Sequence, residues 1–233
     1  MHRIYFFMFL ATLAGASCSS SEPEEETSRP AAPSHNETPL PDVPQPPNAA
    51  DNRPIILAFG DSLTAGSGLP PGSGYPEILQ TELDSRGYKY HVVNAGVGGD
   101  TTGGGLARLE SVLALNPKFV ILELGANDGL RGLPIESMQA NLDEMIAEFK
   151  KHEVHVLLAG MTLPANFGPD YIGAFEKVFP ALAAKHKVTL IPFFLEGAAG
   201  RPELNLEDGI HPNMAGYHLV TANVLKHLEP LLK

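Results

Sequence analysis

From Pro54 onward, five short apolar runs alternate with longer stretches of helical periodicity, and this alternation limits the fold more than any other feature of the chain. The runs are Ile55 to Phe59, His91 to Asn94, Phe119 to Leu124, Val154 to Ala159 and Val188 to Ile191. Their mostly continuous apolar character is that of strands covered on both faces. Between them, Tyr75 to Arg86, Thr102 to Leu115, Ile135 to Lys151 and Tyr171 to His186 carry helical spacing, and a last helix is expected from about Asn213 to Leu231. Strand and helix in strict alternation predict an α/β domain, a five-stranded parallel sheet between layers of helices. Right-handed crossovers then bring every strand's C-terminal end to one edge, where open sheets of this kind bind ligands. The sequence contains no internal repeat.

The 233 residues are enough for one domain of roughly 180 residues, with a core that needs no disulfides. Of the formal charge of −11, residues 1 to 52 hold 7 acidic and 2 basic side chains, leaving 20 and 14 on residues 53 to 233. A domain of mixed sign and net charge −6 gives no electrostatic case for nucleic acid. The single cysteine, Cys18, precedes the domain, so neither a disulfide framework nor a cysteine zinc site is expected inside it.

The first residues have the form of an export signal (residues 1–18). His2 and Arg3 precede an apolar stretch from Ile4 to Leu13, shorter than the ~20 residues of a membrane span, and small residues Ala14 to Ser17 follow. Ala14-Gly15-Ala16 fits cleavage that releases a soluble protein. Small residues directly before Cys18, followed by Ser19-Ser20-Ser21, resemble instead a bacterial lipoprotein signal, with Gly15 where leucine is usual. The second reading is preferred, because a lone cysteine before a long polar stretch otherwise has no evident purpose. It implies an exported protein held at a bacterial membrane or in the periplasm by lipid on Cys18. Residues 19 to 53 contain eight prolines, the run Glu24-Glu25-Glu26 and almost no large apolar side chain, so a disordered tether is expected there.

Four loops at the strand ends carry polar or glycine-rich residues: Gly60-Asp61-Ser62-Leu63, Asn94 to Thr101, Gly125-Ala126-Asn127-Asp128-Gly129, and Asp208-Gly209-Ile210-His211-Pro212. Ser62 leaves the first strand at a position suited to a nucleophile. A neutral serine hydroxyl needs a base, and an imidazole needs a carboxylate to fix its tautomer; His211 and Asp208, three residues apart, supply both. Donors for an oxyanion are available as the N–H groups of Ser62 and Gly99 and the carboxamide of Asn127. Taken singly, each loop is also an ordinary Gly, Asp, Ser or Asn turn. Neither phosphate-binding glycine pattern is present, which disfavours a nucleotide ligand.

Together the four ordered blocks, Gly60-Asp61-Ser62-Leu63, Gly99 before Asp100-Thr101, Gly125-x-Asn127-Asp128 and Asp208-x-x-His211, resemble those of the GDSL or SGNH hydrolases. Leu124 to Gly132, Leu163 to Gly168 and Pro192-Phe193-Phe194 are similar to the bacterial multifunctional thioesterase, protease and lysophospholipase branch of that family. The resemblance implies a flavodoxin-like three-layer α/β/α fold with no metal or cofactor, Ser62, Asp208 and His211 as triad, and Ser62, Gly99 and Asn127 as oxyanion donors. It also implies a carboxylic ester hydrolase acting on short or medium acyl, aryl or lysophospholipid esters and possibly thioesters. Asp61, Leu63, Asp128, Leu163, Pro164 and Phe167 are the expected substrate contacts. Gly96 and Gly98 depart from the pattern, standing where serines are common. A carbohydrate O-deacetylase of the same fold, and a tethered lipid- or glycan-binding module without catalysis, remain as alternatives.

Overall fold

The computed structural model describes residues 51–232; the expected export signal, Cys18 and all but the last residues of the expected tether lie outside the described residues. Strands β1 (Ile55–Gly60), β2 (His91–Gly96), β3 (Phe119–Glu123), β4 (His155–Ala159) and β5 (Thr189–Ile191) form one parallel sheet in the order β2-β1-β3-β4-β5. Every residue of β1 and β3 is buried, as the apolar runs Ile-Ile-Leu-Ala-Phe and Phe-Val-Ile-Leu require, whereas edge strand β2 keeps His91, Val92 and Asn94 partly exposed. From β1 the chain crosses to β2 on one side and then returns to build β3, β4 and β5 on the other. The strand order therefore reverses between β1 and β3, and a crevice opens where the loops leaving them part in opposite directions. Register places Gly60 level with both Gly96 and Glu123, so the three strands end together at that crevice.

Helices α2 (Tyr75–Ser85) and α8 (Met214–Leu228) pack on each other, and α6 (Ile135–Lys151) packs between α3 (Thr102–Ala107) and α7 (Pro169–His186). In α6, Met138, Leu142, Met145, Ile146 and Phe149 recur at helical spacing and are all buried, Phe149 edge-on to Phe59 of β1 at 5.9 Å. Truncating Phe149 to alanine would cost about 3–5 kcal/mol, because its ring is fully buried in the core.

Four places differ from the sequence expectation. Two loops contain one-turn helices, α1 (Ser62–Ala65) and α5 (Ala126–Leu130), too short to leave a hydrophobic period. The expected helix from Thr102 to Leu115 breaks at Arg108 into α3 and α4 (Leu109–Leu113). The Arg108 guanidinium turns inward to Asp100 (2.8 Å) and to the carbonyls of Ala95 (2.8 Å) and Gly60 (2.9 Å), lying 4.1 Å over the Phe59 ring. Those bonds tie the ends of β1 and β2 together and account for the interruption. At the C-terminus, α8 stops at Leu228 and tightens into a 3₁₀ turn over Glu229–Leu231, where Pro230 lacks the N–H that α-helix would use. Among the described residues no helix is long and apolar enough to cross a membrane.

Candidate active site

Gly60 is the last residue of β1, and only glycine fits: a Cβ there would lie 2.1 Å from Thr64 Oγ1 and 2.5 Å from Glu123 Oε2. The chain then turns abruptly into α1, whose N-cap is Asp61; its Oδ1 accepts from the Leu63 N–H at 2.9 Å. Ser62 is thus the first residue of a helix pinned at both ends, since Gly66 closes it in the left-handed region and the Tyr217 hydroxyl of α8 donates to the Leu63 carbonyl at 2.9 Å. Gly96 on β2 lies directly against this turn, where a Cβ would meet Ala65 N at 2.1 Å. The glycine that departs from the family pattern is therefore required by the close approach of β2 to α1. Gly98 has no such contact, its nearest neighbour being Ser67 Oγ at 3.4 Å.

The loop before α8 is folded on itself by an antiparallel bridge between Asn205 and Pro212 and by the Leu206 N–H donating to the His211 carbonyl at 2.8 Å. Within it, Asp208 Oδ1 accepts from the N–H groups of Ile210 (2.9 Å) and His211 (3.0 Å), while Oδ2 faces His211 Nδ1 at 2.7 Å. The other ring nitrogen, Nε2, is 2.9 Å from Ser62 Oγ. Although partial burial opposes it, the backbone N–H groups of His211 and Ile210 and the ring hold the Asp208 carboxyl below the ordinary aspartate range. Asp208 is therefore a carboxylate at neutral pH and orients the ring so that Nε2 is the acceptor for the Ser62 hydroxyl.

Asn127 reaches the same place from α5, which starts immediately after Gly125 (φ +119°). Its Nδ2 donates to Asp61 Oδ2 at 2.9 Å, fixing the carboxamide plane beside Ser62. Gly99 sits in the left-handed region at φ +76°, and its carbonyl accepts from Arg131 Nη2 at 2.6 Å, so its peptide is anchored from α5 as well. Among the described residues no turn or loop hydrogen bond occupies the N–H of Ser62 or of Gly99. Both are free for a ligand.

A cleft of about 430 Å³ opens beside the serine and runs from Asp61, Ser62, Asn127 and His211 past apolar walls. Of the expected substrate contacts, Asp61, Leu63, Leu163 and Pro164 line it. Asp128 does not. It is 3% exposed, and its two oxygens are taken by the N–H (2.8 Å) and hydroxyl (2.6 Å) of Thr102, so it fastens α5 to α3 rather than facing a ligand. Phe167 does not line it either, because its ring stacks on Tyr171 at 6.2 Å. Sequence reasoning missed Met161, Phe193, Leu195, Ala199 and Ile210, which complete the walls from the segments after β4 and β5 and from the histidine loop. Among the described residues no group of His, Cys, Asp and Glu is arranged to hold a metal ion.

The GDSL-like Lipase/Acylhydrolase family matches residues 58–219. Esterase TesA of Pseudomonas aeruginosa is 46% identical over 178 residues, 76% of this chain and 89% of that relative. Thioesterase 1/protease 1/lysophospholipase L1 of Escherichia coli K12 is 38% identical over 178 residues, 76% of this chain and 84% of the relative. A solved structure of the psychrotrophic esterase EstA from Pseudoalteromonas sp., inhibited by monoethylphosphonate, superposes with a TM-score of 0.73 at 32% identity, covering 76% of this chain and 97% of that one. With the four sequence blocks in order around one crevice and these matches spanning them, the chain belongs to the GDSL-like lipase/acylhydrolase family.

Proposed function

We propose that this protein hydrolyses carboxylic esters of short to medium acyl chains, aryl esters and lysophospholipids among them, through a serine ester intermediate on Ser62. The observation that carries the reading is the placement of His211 between Ser62 Oγ (2.9 Å) and Asp208 Oδ2 (2.7 Å) at the mouth of an apolar cleft. In the first half-reaction Ser62 Oγ attacks the carbonyl carbon while its proton passes to His211 Nε2. The carbonyl π electrons move to oxygen, and that oxyanion is met by the N–H groups of Ser62 and Gly99 and the Asn127 carboxamide. Collapse breaks the bond to the leaving oxygen, which takes the proton from Nε2. Water then attacks the acyl-serine, losing a proton to Nε2, and breakdown releases the carboxylic acid and returns the proton to Oγ.

The cleft favours an acyl chain over an O-acetyl group on sugar. Its walls beyond the serine are mainly Leu63, Leu130, Met161, Leu163, Phe193 and Leu195, and one methyl would leave them unfilled. Each methylene placed there gains about 0.8 kcal/mol, or about 4-fold in kcat/KM. A p-nitrophenyl ester series should rise by that step from acetate until the cleft is full, with lysophosphatidylcholine turned over and acetylated xylan not. A flat series with strong release of acetate from xylan would favour the deacetylase reading, and hydrolysis of neither class the binding-module reading. Export and lipidation at Cys18 belong to the same proposal, and mass spectrometry of the mature N-terminus tests them: diacylglycerol on Cys18 supports the anchor, an unmodified start at Ser17 removes it.

A further inference from the structure

Behind Ser62 the crevice holds a carboxyl pair that the reaction steps above do not use. Glu123 ends β3 with no solvent exposure. Its Oε2 accepts from Thr64 Oγ1 at 2.8 Å and from the Asp61 N–H at 3.3 Å, while Oε1, equally buried, has no donor facing it. Asp61, whose N–H rests on Glu123 Oε2, has its own carboxyl oxygens committed to the Leu63 N–H and the Asn127 carboxamide, and the two carboxyls feel each other's charge.

Two carboxyls this close in a desolvated site do not both ionise. The surroundings decide which one keeps the proton. Arg108, the cation facing Asp61, spends its donors on Asp100 and two carbonyls, and His211 also faces Asp61. Glu77 and Asp208 add negative charge, and the buried Tyr75 and Tyr217 hydroxyls remain neutral. Burial and the Asp61 charge hold Glu123 well above the ordinary glutamate range, whereas the donors on Asp61 limit its rise, also driven by burial, to about 6.

We infer that Glu123 is a positioning residue of this active site: as a neutral acid it donates to Asp61, and so keeps the Asp61 carboxylate an acceptor that aims the Asn127 carboxamide at the oxyanion. The inference rests on the reading of Ser62 as nucleophile and Asn127 as donor. A protonated Asp61 would lose one of its two acceptor oxygens and release either the α1 turn or Asn127. An ionised Glu123 would repel Asp61 and leave Oε1 buried without a donor.

Three variants and one spectrum test it. Glu123→Ala should lower kcat on the order of 10- to 100-fold with KM within about 2-fold, since the residue lies outside the cleft lining. Glu123→Gln, with an N–H in place of the acid O–H and a carbonyl for Thr64 and the Asp61 N–H, should rescue kcat to within about 3-fold of wild type. Infrared spectra at about pH 8 should show the carbonyl stretch of a neutral carboxylic acid in wild type and in Ser62→Ala, absent from Glu123→Gln. A Gln variant as slow as the Ala variant, an Ala variant as fast as wild type, or no neutral-acid band overturns the proposal. If the Ala variant does not fold, the Gln variant and the band decide. Ester hydrolysis that survives in Ser62→Ala would instead sink the nucleophile reading while leaving the band unchanged, so the two failures are distinguishable.

Discussion

Replacing Asn127 by alanine removes one donor and little else, because the side chain is partly exposed and its contact in the site is a single 2.9 Å bond to Asp61 Oδ2. Two effects with different readouts follow. In the ground state Asp61 keeps the Leu63 N–H but loses a donor in a place where it is 1% exposed, which costs on the order of 1–3 kcal/mol of folding stability. On the proposed role of Asn127, one of three oxyanion donors is then missing in the transition state, worth about 2.7–4 kcal/mol, or 10²- to 10³-fold in kcat. The oxyanion exists only after attack, so KM should stay within about 2-fold. Steady-state kinetics on p-nitrophenyl butyrate, with urea titrations of both proteins, separate the two. A kcat loss under about 10-fold in a folded Asn127→Ala protein, or a loss confined to KM, would refute the assignment of Asn127 as an oxyanion donor.

The remaining expectations concern the frame. Arg108→Ala breaks a largely buried pair with Asp100, whose side chains are 12% and 10% exposed, and should cost about 3–5 kcal/mol in urea unfolding, with activity falling because Gly60 and Ala95 lose their anchor. Gly96→Ser should destabilise by about 1–3 kcal/mol, since its Cβ would lie 2.1 Å from Ala65 N, whereas Gly98→Ser should stay within about 0.5 kcal/mol. Stability should also carry the signature of Glu123. Its native pKa lies above the ordinary 4.5, so the folded chain binds more protons than the unfolded one from there up to the native value. That contribution is complete below the unfolded pKa and is lost as pH rises, with a slope of up to about 1.4 kcal/mol per pH unit. Urea midpoints from about pH 5 to about pH 8 should therefore fall less steeply in Glu123→Gln than in wild type; parallel curves would contradict a buried neutral acid.

The sheet was legible because its central strands are buried on both faces, which leaves unbroken runs such as Ile55 to Phe59 with no competing helical reading. Strand ends drifted by one or two residues, most in β2, where Ala95 and Gly96 continue the ladder beside Phe59 and Gly60 past the expected end at Asn94. The four loops could be found because glycine, aspartate, serine and histidine stood at strand ends, and the crevice between β1 and β3 brings them together. What stayed hidden depends on direction, which residue type does not encode. Asp128 neighbours Asn127 in sequence, yet in the one-turn helix α5 it faces inward to Thr102 while Asn127 faces the cleft. Phe193, Leu195 and Ile210 looked like ordinary apolar residues and line the cleft only because their loops fold over it. For Glu123 a signal existed in the sequence, a lone carboxyl inside the apolar run from Phe119 to Leu124, a place where burial has to be answered by a proton or a cation.

The most direct test of the account is stoichiometric labelling with a fluorophosphonate, followed by mapping of the modified peptide. Phosphonylation of Ser62 Oγ that rises in step with loss of esterase activity, and that disappears in His211→Ala at neutral pH, is the predicted result. Inactivation with the adduct on another residue, or full esterase activity in a protein whose Ser62 is quantitatively phosphonylated, would contradict it.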